Sequence, residues 1–214
     1  MQGLLTYRPV MMAILLAGGL SLDLTAQRIN FSSFAGEGIT VTSPEGPSGL
    51  NFNSKKSMIV TGSNETITIQ KGNAGDDMYA VVYEIMAAEG FDLQVDVTAP
   101  SALRISGDTV ALNQVPFVVT FAYENKGANS VASARNNAID TPVGLTSLII
   151  PVLPRSIGAP APPPDPFTGS STSRPTGKVY LFIYGEAGPV GNVRAGTYEA
   201  DVIINVNYAG ANYE

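Results

Sequence analysis

Alternation of apolar and polar residues recurs along this chain, and it limits the fold more than any other feature. In the segment GTYEADVIINVNY (residues 196–208), one set of alternate positions is polar except at Ile203. The other set is apolar or aromatic: Tyr198, Ala200, Val202, Ile204, Val206 and Tyr208. A period of two residues is typical of a β-strand with one buried face. The segment is therefore predicted to be a half-buried strand.

The segment FDLQVDVTAP (residues 91–100) shows the same alternation. Its apolar positions are Phe91, Leu93, Val95 and Val97, and its polar positions are Asp92, Gln94, Asp96 and Thr98. A shift of one residue in pairing would bury two aspartates, so the register of this strand is strongly fixed.

Further short strands are predicted at residues 39–42, 57–60, 66–70, 102–106, 109–112, 116–123, 145–152 and 178–184. Residues 78–88 fit either a helix or a strand, and the alternation of Tyr79, Val81, Tyr83 and Ile85 favours the strand. The 22 glycines and 15 prolines supply the intervening turns. About ten short strands at regular spacing indicate an all-β sandwich or barrel.

One insertion interrupts this rhythm. Residues 151–177 contain eight of the fifteen prolines, and proline lacks the backbone donor that a sheet needs. The insertion is predicted to lie outside the sheet. It could be an interdomain linker, but only two strands follow it, too few for a second core. It is better interpreted as a long surface loop inside one domain of residues 27–214, either a partner contact or a tolerated insertion.

The first 26 residues have the layout of a secretory signal peptide. Arg8 precedes an apolar run over residues 10–22, and Ala26 is the small residue before the predicted cleavage point. The alternative is a buried first helix. Export would place the protein in the periplasm, on the outer-membrane surface or outside the cell.

The residue types narrow the possible chemistry. The chain has no His and no Cys, so it lacks an imidazole base, a thiolate nucleophile and the ordinary ligands of zinc or haem. The net charge of −6 disfavours nucleic acid. Asp92 and Asp96 are expected to be roughly 13 Å apart on one strand face, farther than glycosidase carboxylates. A calcium site at Asn73, Asp76 and Asp77 is weighed against a simple polar turn. No catalytic residue, metal site or cofactor is predicted.

A series of segments resembles a known group of proteins. In chain order they are LNF (50–52), TITI (66–69), YAVVYE (79–84), FDLQVDVTAP, PFVVTFAY (116–123), VYLFIYGE (179–186) and AGTYEADVIINVNY (195–208). The series resembles the pilin-like domains of the spore coat protein U superfamily and a related family of unknown function in exported bacterial proteins. The resemblance covers residues 48–208 without the proline insertion. Chaperone–usher pilins also end on a Gly, alternating apolar positions and a Tyr twelve residues later, as at Gly196 and Tyr208. Here AGANYE follows that Tyr, and the cysteine pair of many pilins is missing.

The resemblance implies an immunoglobulin-like β-sandwich that serves as a building block and is completed by a strand from a neighbouring subunit. The candidate donor is the N-terminal arm, residues 27–47, with Ile29, Phe31, Ile39 and Val41 as its apolar side chains. The alternative is that the arm is the first strand of its own sandwich. The other strand-assembly candidates are Gly196, Tyr198, Val202, Ile204, Val206 and Tyr208 in the last strand.

Three functions follow from these observations. The first is a non-enzymatic structural subunit of a surface filament, coat or adhesive layer, with further copies as partners through strand edges. The second is an accessory or ligand-binding module docked on an outer-membrane or cell-surface complex or a glycan. The third is a carboxylate-dependent hydrolase.

Overall fold

The computed structural model describes residues 28–45, 66–72, 80–105, 108, 110, 113–153, 175–194 and 196–210. Five predictions lie wholly or mostly outside these residues: the signal peptide, the strands at residues 57–60 and 109–112, the calcium candidates Asn73, Asp76 and Asp77, and the proline insertion. Within the described residues, no helix is long and apolar enough to cross a membrane.

The described residues form eleven strands and one short helix. In chain order these are β1 (Arg28–Ala35), β2 (Thr40–Thr42), β3 (Ile67–Ile69), β4 (Val81–Ala88), β5 (Asp92–Thr98), β6 (Ala102–Ile105), β7 (Gln114–Glu124), α1 (Val131–Asn137), β8 (Ile139–Asp140), β9 (Ser147–Pro151), β10 (Thr176–Ala187) and β11 (Tyr198–Tyr208). The all-β prediction is confirmed.

The strands build two layers that share a core. The first layer has the order β1-β11-β5-β9, and β6 pairs with the start of β11 on the edge opposite β1. The second layer has the order β2-β4-β10-β7-β8, with β3 beside the end of β10. Strand β7 joins the layers, because its first residues pair with β6 and its later residues pair with β10. The β-sandwich is therefore continuous through β7.

The predicted alternation places the core correctly in β5 and β11. Leu93, Val95 and Val97 are buried in β5, whereas Asp92 and Gln94 are exposed. In β11 the residues Val202, Ile204 and Val206 are fully buried. The inward residues of both layers meet in one hydrophobic cluster, which supplies most of the stabilisation through apolar burial.

The ambiguous segment at residues 78–88 contains strand β4, as its alternation favours, and β4 pairs with β2 and β10. Both faces of β4 are buried, however, because α1 covers the outer side of this layer. Val82, Tyr180 and Phe182 pack there with Ala134 of the helix in a second hydrophobic cluster. Helix α1 is too short to show an amphipathic pattern, so the sequence did not predict it. Its N-cap is Ser130, which accepts a hydrogen bond of 3.2 Å from Ser133.

The prediction that residues 151–177 lie wholly outside the sheet is wrong at both ends. Pro151 is the last residue of β9 and pairs with Asp92, and β10 already begins at Thr176. Proline is tolerated at this position because β9 is an outer strand whose second edge has no ladder partner among the described residues.

Candidate strand-exchange site

Strand β1 lies on the outer edge of the first layer, in parallel with β11. The register pairs Ile29 with Ala200, Phe31 with Val202 and Ser33 with Ile204. It is the one parallel pairing among the described strands, since all their other ladders are antiparallel. In the structure the N-terminal arm thus begins with a strand paired to its own chain.

The first half of β1 contributes to the core and the second half does not. Ile29 is 1% exposed and Phe31 is 7% exposed, and both belong to the main hydrophobic cluster. Residues 32–35 are all exposed, including Phe34 at 59%. Asn30 faces outward and donates a hydrogen bond of 3.0 Å to Asp201 on β11. The apolar contact of β1 with the core is therefore made by two side chains, those of Ile29 and Phe31.

The arm changes layers immediately after β1. The amide of Gly36 continues the β11 ladder with a bond of 2.8 Å to Val206, and the amide of Ile39 bonds back to Gly36 at 3.2 Å. Gly38 has φ of 74°, a conformation that glycine adopts without steric cost. Beyond this turn β2 pairs with β4 in the second layer, with Val41 opposite Ile85. Residues 36–39 are hereafter called the crossover turn.

Tyr208, at the end of β11, lies next to the crossover turn. Its hydroxyl accepts a hydrogen bond of 2.9 Å from the amide of Ala88 and donates a longer one of 3.4 Å to the carbonyl oxygen of Gly38. Its ring packs on Phe91 with centroids 5.2 Å apart. Tyr208 therefore connects the ends of β11 and β4 with the turn that carries the arm between the layers.

A buried ion pair anchors the N-terminal arm at Glu45, shortly after the end of β2. The guanidinium of Arg135 lies 2.6 Å from the carboxylate of Glu45, and the two side chains are only 4% and 17% exposed. Arg135 also lies over the ring of Phe182, 5.6 Å from its centroid. This pair joins the arm to α1 on the outer side of the second layer. No local signal in the sequence marks it, because its two residues are ninety positions apart.

The structure brings together only part of the predicted assembly set. Ile29, Phe31, Val202 and Ile204 lie along one ladder, and Val206 is buried farther along it. Ile39 and Val41 belong to the region of the second layer, away from that ladder. Gly196 precedes β11 and is exposed, and Tyr198 is buried, with its hydroxyl donating to the carbonyl of Arg194 at 2.7 Å.

Two polar clusters lie outside this site. In the first, Asp140 accepts from Lys71 at 2.9 Å and from the hydroxyl of Tyr184 at 2.7 Å. The bond from Lys71 holds the pKa of Asp140 below its ordinary value. Burial, and then the bond to Asp140, raise the pKa of Tyr184 well above its ordinary value.

In the second cluster, Lys178 lies 3.0 Å from Glu84 and 3.4 Å from the hydroxyl of Tyr180. Burial opposes the charged form of Lys178, but its bonds to Glu84 and Tyr180 outweigh burial and raise its pKa. Burial and the bond to Glu84 also raise the pKa of Tyr180.

The acidic residues considered for catalysis lie on the outer face of β5. Asp92 is exposed, and Asp96 accepts hydrogen bonds of 3.3 Å from Gln94. The described residues contain no group of three or more acidic side chains placed to hold a metal ion. No protein-family model and no curated protein matches this chain.

Proposed function

We propose that this protein is an exported, non-enzymatic structural subunit of a surface filament, coat or adhesive layer. In this proposal, copies assemble when β1 of one copy pairs with β11 of the next. The observation that carries it is the position of β1, an outer strand that has one ladder partner among the described residues and yet supplies Ile29 and Phe31 to the core. A strand held in this way leaves an unpaired edge and an apolar groove when it moves away.

Chemical complementarity supports a second copy as the occupant of that edge. In the monomer β1 already pairs with β11 in a defined register, which sets buried Ile29 beside buried Ala200 and buried Phe31 beside buried Val202. Addition of an extended strand to a sheet edge is a common mode of recognition, in which backbone hydrogen bonds give affinity and alternate side chains give specificity. The resemblance to pilin-like exported domains supports the same mode of assembly and an immunoglobulin-like class for the sandwich.

The energetics favour exchange that is reversible. Burial of two large apolar side chains contributes about 3–6 kcal/mol in total, at roughly 1.5–3 kcal/mol each. The sequence alone suggested four apolar arm residues, but Ile39 lies within the crossover turn and Val41 lies beyond it in β2. The contribution of β1 is therefore small enough for the strand to be released without unfolding the whole sandwich.

The proposal is tested by electron microscopy of the native protein at the cell surface and after purification. We expect ordered assemblies, and we expect a synthetic peptide of residues 28–36 (RINFSSFAG) to shorten them by occupying free β11 edges. A scrambled peptide of the same composition is the control. A purified monomer that never assembles and binds one other protein or a glycan would contradict the proposal and favour an accessory module.

A further inference from the structure

The N-terminal arm consists of two parts that different layers hold. Residues 28–35 pair with β11 in the first layer, and residues 40–42 pair with β4 in the second layer. The crossover turn between them contains two glycines, Gly36 and Gly38. A short glycine-containing segment between two independently paired strands can change its backbone angles without moving either partner sheet.

The second part of the arm is anchored by a buried charge. If residues 40–45 left the sandwich, the guanidinium of Arg135 would lose the carboxylate of Glu45 while its side chain remained 4% exposed over Phe182. Removing one member of a buried ion pair is strongly unfavourable, because the other charge stays desolvated. Ile39, which is 8% exposed, would also leave the core.

The first part of the arm has no such anchor. Its polar side-chain contact, Asn30 with Asp201, is exposed to solvent, and exposed polar contacts contribute little. Strand β1 has no second ladder partner among the described residues, so its departure breaks no pairing except that with β11. An identical strand from a second copy would restore the same pairing.

We infer that β1 alone is the exchanging unit and that the crossover turn is its hinge. Residues 40–45 stay in their own sandwich, and the incoming β1 of a second copy runs parallel to β11 in the register of the self-paired strand. This inference rests on the proposed function and specifies which part of the arm moves. Opening of the hinge also breaks the bond between the hydroxyl of Tyr208 and Gly38.

The two pairings differ in concentration dependence. Self-paired and exchanged strands make the same contacts with β11, so neither has an advantage in buried surface. A tethered strand competes at an effective concentration in the millimolar range. The self-paired monomer is therefore the resting form in dilute solution, and exchange takes over where copies are crowded.

Cross-linking in the full chain separates the two parts of the arm. The chain contains no cysteine, so introduced thiols are unambiguous. Asn30→Cys and Asp201→Cys variants carrying different tags are co-expressed, and a disulfide between them reports β1 of one copy on β11 of another. Thr40→Cys and Met86→Cys variants, co-expressed in the same way, report β2 on β4. The pair Asn30→Cys and Ser147→Cys is the control for disulfides that form by random collision, because Ser147 is in β9 on the far edge of the layer.

We expect a disulfide-linked heterodimer for the 30–201 pair above the collision control, and none for the 40–86 pair. Single chains that carry both cysteines of a pair are expected to close internally in dilute solution, which shows that each variant folds. Heterodimers at both pairs would overturn the inference, because the whole arm would then exchange, and would leave the proposed function standing. If neither pair of cysteines forms a heterodimer, both the inference and the proposed function are overturned.

Discussion

The backbone amide of Ala88 donates a hydrogen bond of 2.9 Å to the hydroxyl of Tyr208. Ala88 is the last residue of β4 in one layer, and Tyr208 is the last residue of β11 in the other. The side chain of Tyr208 therefore connects the two layers of the sandwich at the point where the N-terminal arm crosses between them. The same hydroxyl reaches the carbonyl of Gly38 in the crossover turn.

Tyr208→Phe tests this connection. The ring contact with Phe91 stays, but the amide of Ala88 loses its acceptor, and an unsatisfied amide costs about 1–3 kcal/mol. We expect the free energy of unfolding to fall by that amount in urea titrations. Tyr123→Phe is the control, because the hydroxyl of Tyr123 has no hydrogen bond among the described residues, and a loss of equal size there would contradict the prediction.

The ion pair between Glu45 and Arg135 is predicted to contribute more to the free energy of unfolding than an exposed contact does. Glu45→Gln removes the carboxylate from a guanidinium whose side chain is 4% exposed. Breaking a buried pair by removing one partner costs about 3–5 kcal/mol. The double variant Glu45→Gln with Arg135→Met should lose less free energy of unfolding than the single variant Glu45→Gln. A double-mutant cycle of unfolding free energies measures this difference.

The exposed contact between Asn30 and Asp201 is the matched comparison for that cycle. Asp201→Asn should change the free energy of unfolding by less than about 1 kcal/mol, since solvent already satisfies both groups. Equal losses at the buried and the exposed pair would contradict the anchoring of the arm by Glu45.

Gly185 is predicted to tolerate no side chain. A Cβ atom at this position in β10 would collide with the backbone carbonyl of Val118 on β7, which cannot move without breaking the ladder. We expect Gly185→Ala to cost about 1–3 kcal/mol by overpacking. At Gly196 a Cβ would instead meet the mobile end of the Ile105 side chain, so Gly196→Ala should be nearly neutral in thermal unfolding. The prediction is wrong if Gly196→Ala proves the more harmful.

Stability is predicted to decrease at alkaline pH because of Tyr184. Burial and the bond to Asp140 raise the pKa of Tyr184 above its ordinary value of 10.0. The unfolded chain therefore releases this proton first, and stability that is complete below about pH 10 is lost as the pH rises further. Urea titrations from pH 8 to 11 should show a shallower decrease for Tyr184→Phe and for Asp140→Asn. An unchanged slope in both variants would exclude Tyr184 as a cause.

Strand complementation is predicted to restore a shortened chain. A variant without residues 27–35 lacks Ile29 and Phe31 and should lose about 3–6 kcal/mol of apolar burial together with one ladder. The peptide of residues 28–36 should raise its melting temperature in a concentration-dependent manner. The same peptide with Asp in place of Ile29 and Phe31 is the control, and equal stabilisation by both peptides would contradict recognition by the groove.

Sequence periodicity predicted the strands whose two faces meet different environments. In β5 and β11 one face meets the core and the other meets solvent, so the apolar positions reveal both the strand and its inward side. In β4 this argument was incomplete, because α1 buries the second face and Val82 is as apolar as Ile85. The sequence also singled out Gly196, whereas the close approach of backbones occurs at Gly185, which only the pairing of β10 with β7 reveals.

The sequence by itself determined the all-β class and the inward faces of its alternating strands, because a period of two residues is a local property that burial of one face requires. Only the tertiary structure decided that β1 runs parallel to β11, that the arm changes layers at residues 36–39, and that Glu45 meets Arg135. These relationships join residues far apart in the chain, so no local pattern encodes them. They arise when the packed layers bring distant side chains and strand edges together.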